Sequence, residues 1–212
     1  MRSCSIIRFS AGEPGGNANF YLGTVLCQHQ DVDFGGSPQL FEVGGRQVVG
    51  ELQKSGVYHV AYTDDMKSAW KATVGAPAVI TNGDTGATDG KRVYVVGTPP
   101  GQMMALDARD GAMAWASPIG DQIHFQAVTY ANGVVYTVDS AGNFRAWAAA
   151  DGTALVTRPL GGDTGPGGEP SYTGGSSTTG SPGASDTSAS VSVARGGVYV
   201  AAARNVLLFR LP

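Results

Sequence analysis

The chain has 212 residues, enough to bury the core of one domain or of two small ones. A formal charge of −3 with no clustered basic face excludes the footprint expected of a nucleic-acid or anionic-membrane binder. No apolar run approaches the ~20 residues of a membrane span. Glycine accounts for 32 residues and charged residues for only 15%, and the short Val/Tyr/Phe segments keep no sustained 3.6 period. Such a pattern predicts an all-β chain with tight glycine turns and no helix of consequence.

In chain order, residues 1–28 are an unassigned N-terminal segment. The opening MRSCSIIRFSAGEPGG has a shorter apolar stretch than the ~7–15 residues of an export signal, so no leader is read there. Asn19–Leu26 (NFYLGTVL) is the candidate for a closing strand. Cys4 and Cys27 have no metal-type spacing and read as free thiols or as one optional bridge. DVDFGG follows, from Asp31 to Gly36. Asp31 reads as loop and Gly35-Gly36 as a turn into a strand. Asp33 either caps that turn or is a carboxylate held at the mouth of a site.

Residues 29–160 contain three stretches that can be laid over one another: GRQVVGELQKSGVYHVAYTDDMKSAW, GKRVYVVGTPPGQMMALDARDGAMAW and NGVVYTVDSAGNFRAWAAADGTALV. Each has two strands around a turn, then an aspartate anchor (Asp65, Asp110, Asp151) with Trp70, Trp115 or Val156 after it. Anchor spacings of 45 and 41 residues suit a four-stranded propeller blade. Asp110-Gly111 and Asp151-Gly152 are expected at the turn joining the second and third strands, with Gly supplying positive φ. Trp70 and Trp115 are expected to wedge between neighbouring sheets.

Asn82–Gly90 (NGDTGATDG) lacks the closing Glu of a Ca²⁺ loop and reads as an inter-blade connection. His29, His59 and His124 are too scattered to define a metal site, and no metal ligand is assigned. Residues 161–190, nearly all Gly, Ser, Thr and Pro, read as a mobile surface loop, with PSYTG as a weak strand candidate. Residues 191–212, with RGGVYVAAARNVLLFRLP, read as a last, partial blade. Three and a half blades leave two open sheet faces, so self-association or a second chain is expected to complete the ring.

MMALDARDGAMAW resembles the repeat of pyrroloquinoline quinone (PQQ) propellers, and DVDFGGSPQLF…GRQVVGELQKSGVYHV resembles polyvinyl-alcohol-dehydrogenase-like quinoproteins, in their C-terminal half only. The resemblance implies an all-β, partial β-propeller of about 3.5–4 four-stranded blades. It implies hydride transfer from a secondary alcohol, small or polymeric, to PQQ, and a periplasmic or secreted location. On this resemblance Asp33 matches the catalytic base and Lys54 a lysine that hydrogen-bonds the quinone oxygens. Lys54 has the plainer reading of a solvated hairpin residue beside Ser55-Gly56. Ca²⁺ accompanies PQQ in the family, on ligands drawn largely from earlier blades. The chain departs from the pattern in having Val32 where a tryptophan usually precedes the base, and in lacking Cys-Cys and Cys-x-x-Cys-His. The alternative is a non-catalytic propeller that binds protein or polysaccharide through its loops.

Overall fold

A computed structural model describes residues 32–76, 84–120, 124–160, 190–202 and 205–210. The candidate strand Asn19–Leu26, both cysteines, Asp31, His29 and most of the 161–190 segment lie outside the described residues.

Fifteen strands form four antiparallel sheets, with no helix among the described residues. The first sheet comprises β1 (Gln39–Val43), β2 (Arg46–Gln53), β3 (Val57–Tyr62) and β4 (Ser68–Thr73). The second comprises β5 (Ala87–Thr88), β6 (Arg92–Gly97), β7 (Gln102–Asp107) and β8 (Met113–Pro118). The third comprises β9 (Thr129–Ala131), β10 (Val134–Val138), β11 (Asn143–Ala148) and β12 (Ala154–Pro159). The fourth comprises β13 (Ser190–Ala194), β14 (Gly197–Ala202) and β15 (Asn205–Arg210). Every sheet is a simple meander in chain order, and the first strands β1, β5, β9 and β13 lie side by side along the inner edge. The architecture is an all-β partial propeller of about four blades. The last blade has one strand more than its repeat unit displays, because β13 precedes the Arg195-Gly196 turn at which that unit begins.

Local chemistry explains the meanders. Gly44-Gly45, Asn132-Gly133 and Arg195-Gly196 all have positive φ and form two-residue hairpins between the first two strands of their sheets. Along β2 the period of two puts Val48, Gly50 and Leu52 on the buried face and Val49, Glu51 and Gln53 on the other. Three apolar seams then stack the blades. Phe41, Leu52, Tyr58 and Trp70 meet Val93, Val95 and Leu106. Tyr94, Met103 and Trp115 meet Val135 and Trp147. Val138 and Phe144 meet Val191 and Val200.

Trp70 and Trp115 do sit between neighbouring sheets, and each indole Nε1 donates into the next blade, to the carbonyls of Ala108 (2.9 Å) and Ala149 (3.0 Å). The aspartate turns, in contrast, join the third and fourth strands of each blade rather than the second and third. Their geometry is the same in three copies. The Asp65, Asp110 and Asp151 carboxylates each accept the amide two residues on, at 2.9 Å. Gly111 and Gly152 adopt φ of 74° and 75°. A Cβ at either would fall 2.5 or 2.6 Å from the Trp70 or Trp115 ring. In the first blade Met66 occupies this position at φ 54°, with its side chain exposed.

Candidate functional site at one end of the inner strands

The second and third strands of the first blade are joined by Lys54-Ser55-Gly56, at the same end of the sheet as the segment leading into β1. Phe34 forms an isolated antiparallel bridge to Gln53, and the Lys54 amide donates to the Asp33 carbonyl at 3.1 Å. These two contacts bring together the side chains singled out from the sequence. Lys54 Nζ lies 2.8 Å from Asp33 Oδ1. The Lys54 side chain is 17% exposed and that of Asp33 is 59% exposed. The cation is thus largely packed into protein, while the carboxylate keeps an open side.

The floor of this pair is polar but mostly out of water. Gln53 is buried, and its Oε1 accepts from Ser55 Oγ at 2.7 Å and lies 3.2 Å from His59 Nε2. Burial, and then the charge of Lys71, pushes His59 down to about 4, so the neutral ring donates from Nε2 to Gln53. The Phe34 ring meets His59 edge-on at 5.7 Å. Glu51, opposite His59 across the β2–β3 ladder, is pushed up to about 7 by burial. On the opposite, seam-facing side of the sheet, Tyr58 is fully buried and donates to Gln39 Oε1 at 2.7 Å, while Gln39 Nε2 donates to the Ser37 carbonyl.

The lead-in segments of successive blades are stitched together at this end. The Ser37 amide donates to Thr85 Oγ1 at 3.0 Å, and the Val128 amide donates to the Thr85 carbonyl at 2.8 Å. Thr129 Oγ1 continues the chain by donating to the Val191 carbonyl at 2.6 Å. Within these segments lie two groups to which the sequence pattern assigns no role. Asp84 is 1% exposed; its Oδ2 accepts the Val96 amide at 3.0 Å, and its Oδ1 has no hydrogen-bond partner among the described residues. Burial pushes its carboxyl up to about 6, opposed by His124 and the Val96 amide. His124 is fully buried, with Nε2 at 3.2 Å from Thr137 Oγ1.

Asp84 and Asp89, both within the Asn82–Gly90 stretch, diverge. Asp89 binds the amides of Lys91 and Arg92 and the Tyr94 hydroxyl, whereas Asp84 turns into the core. Among the described residues no group of three or more His, Cys, Asp or Glu side chains could hold a metal ion. No helix among them is long and apolar enough to cross a membrane.

Meander blades with tryptophan-sealed seams are the hallmarks of a PQQ-repeat β-propeller. A family model described as outer membrane protein assembly factor BamB matches residues 53–159, and the chain belongs to that family. A polyvinylalcohol dehydrogenase from a Pseudomonas species is 33% identical, over 59% of this chain and 23% of its own length. The crystal structure of BamB from Moraxella catarrhalis superposes with a TM-score of 0.60 at 15% identity, covering 83% of this chain and 49% of that one. The computationally designed Ika4 protein superposes with a TM-score of 0.56 at 13% identity, covering 87% of this chain and 94% of that one. The chain therefore spans less than a quarter of the dehydrogenase and about half of BamB.

Proposed function

We propose that this chain is the part of a quinoprotein alcohol dehydrogenase-like propeller that carries the catalytic base and a quinone contact. The observation that carries this reading is the Asp33–Lys54 pair, with its 2.8 Å contact and its open carboxylate. An alcohol hydroxyl approaching Asp33 from the exposed side gives up its proton to the carboxylate. Lys54, held by packing, presents a fixed cation to electron-rich carbonyl oxygens. The pair fits the quinone edge of PQQ, an anionic molecule that supplies the hydride acceptor when bound. The substrate class is a secondary alcohol, small or polymeric, following the 33% identical polyvinylalcohol dehydrogenase. Relatives of outer-membrane-assembly and dehydrogenase type support a periplasmic or secreted location.

The first blade's outer face and the last blade's outer face have no covering blade among the described residues, so the reading includes a second copy or a further chain completing the ring. The test uses purified chain with PQQ, Ca²⁺, a secondary alcohol and an electron-accepting dye, with its mass in solution measured in parallel. Quinone binding that is kept in Asp33→Asn, with dye reduction that falls sharply in that variant, is the expected result. A closed assembly without binding or turnover overturns the enzyme reading and leaves a binding scaffold.

A further inference from the structure

The carboxylate of Asp33 is on a short lead-in segment, and what holds that segment is a second aspartate outside the pair. Gly36 is seated directly on the Asp84 carbonyl, since a Cβ there would fall 2.3 Å from that oxygen. The next residue, Ser37, donates its amide to Thr85 Oγ1 at 3.0 Å. The 84–85 backbone is thus the bed on which the Asp33 segment rests. Asp84 secures that bed in turn: its Oδ2 takes the Val96 amide of β6 at 3.0 Å, with the side chain wholly buried beneath. A buried carboxyl with one oxygen unpaired is costly to keep for packing alone.

We propose that Asp84 is a positioning residue, which anchors the 84–85 backbone to β6 and through it sets the placement of Asp33 against Lys54. The inference rests on the reading of Asp33 as the base, but the anchoring itself is measurable without PQQ. The groups facing Asp84 are His124 from the lead-in of the third blade and Tyr58 from β3, both buried. Neither of them supplies the hydrogen bond to Val96 that Asp84 makes.

Amide hydrogen exchange on the full chain tests this. Asp84→Ala is expected to speed exchange of the Ser37 amide (to Thr85 Oγ1) and the Lys54 amide (to the Asp33 carbonyl) at least tenfold. The Ala149 and Leu160 amides, bonded within the third blade, should stay within twofold. Asp84→Asn, whose side-chain oxygen can still take the Val96 amide, should restore Ser37 and Lys54 to within threefold of the parent. Where Asp84→Ala does not fold, Asp84→Ser, whose shorter side chain loses the reach to the Val96 amide, replaces it with the same expectation for both amides. Unchanged Ser37 and Lys54 exchange in a folded variant overturns the proposal, as does uniform acceleration through the third blade. In PQQ-loaded protein, a lowered kcat with unchanged KM in Asp84→Ala, recovered in Asp84→Asn, is expected. If Asp33→Asn leaves turnover intact while the exchange pattern holds, the base assignment fails and the anchoring stands.

Discussion

Asp33 and Lys54 owe their meeting to one backbone bridge, Phe34 to Gln53, which folds the acidic segment back over the β2–β3 turn. With Asp33 as base, Asp33→Asn removes the proton acceptor without changing shape, and turnover should fall by about 10²-fold or more with the fold unaltered by circular dichroism. Asp84 governs a different observable. Its folded value of about 6 lies above the ordinary carboxylate value, so between about pH 4 and 6 the folded state holds a proton that the unfolded state has released. Its contribution to stability is therefore fully present at low pH and is lost as pH rises through about 6. At about 1.4 kcal/mol per pKa unit, the loss is about 3 kcal/mol. Glu51, half-buried and raised to about 7, acts in the same sense, while His59, lowered to about 4, acts in the opposite one. Denaturant unfolding at pH 4 and pH 7 isolates the Asp84 share by difference. The parent should lose more stability over that interval than Asp84→Asn, and equal losses would exclude the assigned burial effect.

At the scale of the elements, the Asp-Gly turns and the tryptophans form one device. Each turn glycine sits on the tryptophan of the preceding blade, so the positive φ and the missing Cβ are both used. Gly111→Ala and Gly152→Ala combine left-handed strain with overpacking against the indole, and each should cost about 2–4 kcal/mol in equilibrium unfolding. The first blade has no tryptophan beneath its turn among the described residues, and there Met66 bears only the conformational strain. Met66→Gly should therefore be stabilising, by about 0.5 kcal/mol. The same comparison explains why the sequence repeat misplaces the turn. The repeat unit begins at a second strand, so its count of strands runs one behind the blade's, and the Asp-Gly turn falls between the third and fourth.

At the scale of the whole molecule, the four blades of the described residues form an open fan. Leu207 and Phe209 turn inward to the third seam, which leaves Val206 (75% exposed) and Leu208 (43% exposed) on the outer face of the last blade. Self-association through such end faces would cover apolar surface and unpaired sheet edges together. Sedimentation of the purified chain should then give a mass above the 21.7 kDa of a single copy. Val206→Asp with Leu208→Asp should shift it to a single copy without unfolding; a monomeric parent would remove this closure route.

The all-β class, the blade repeat and the seam tryptophans were legible in the sequence, because turn glycines and period-two alternation act locally, whereas Asp33 and Lys54 were singled out only by the family resemblance. Nothing local marks Asp84 or His124. Asp84 stands in a run of Asn, Asp and small residues that reads as solvated loop, and only the stacking of one blade's lead-in on the next takes it out of water. The 2.8 Å contact of Asp33 with Lys54 likewise depends on a bridge between segments that no spacing specifies. Sequence alone determined what each blade is made of. The tertiary structure decided which polar groups are buried at its end, because burial arises from the neighbouring blade and not from the residue's own strand.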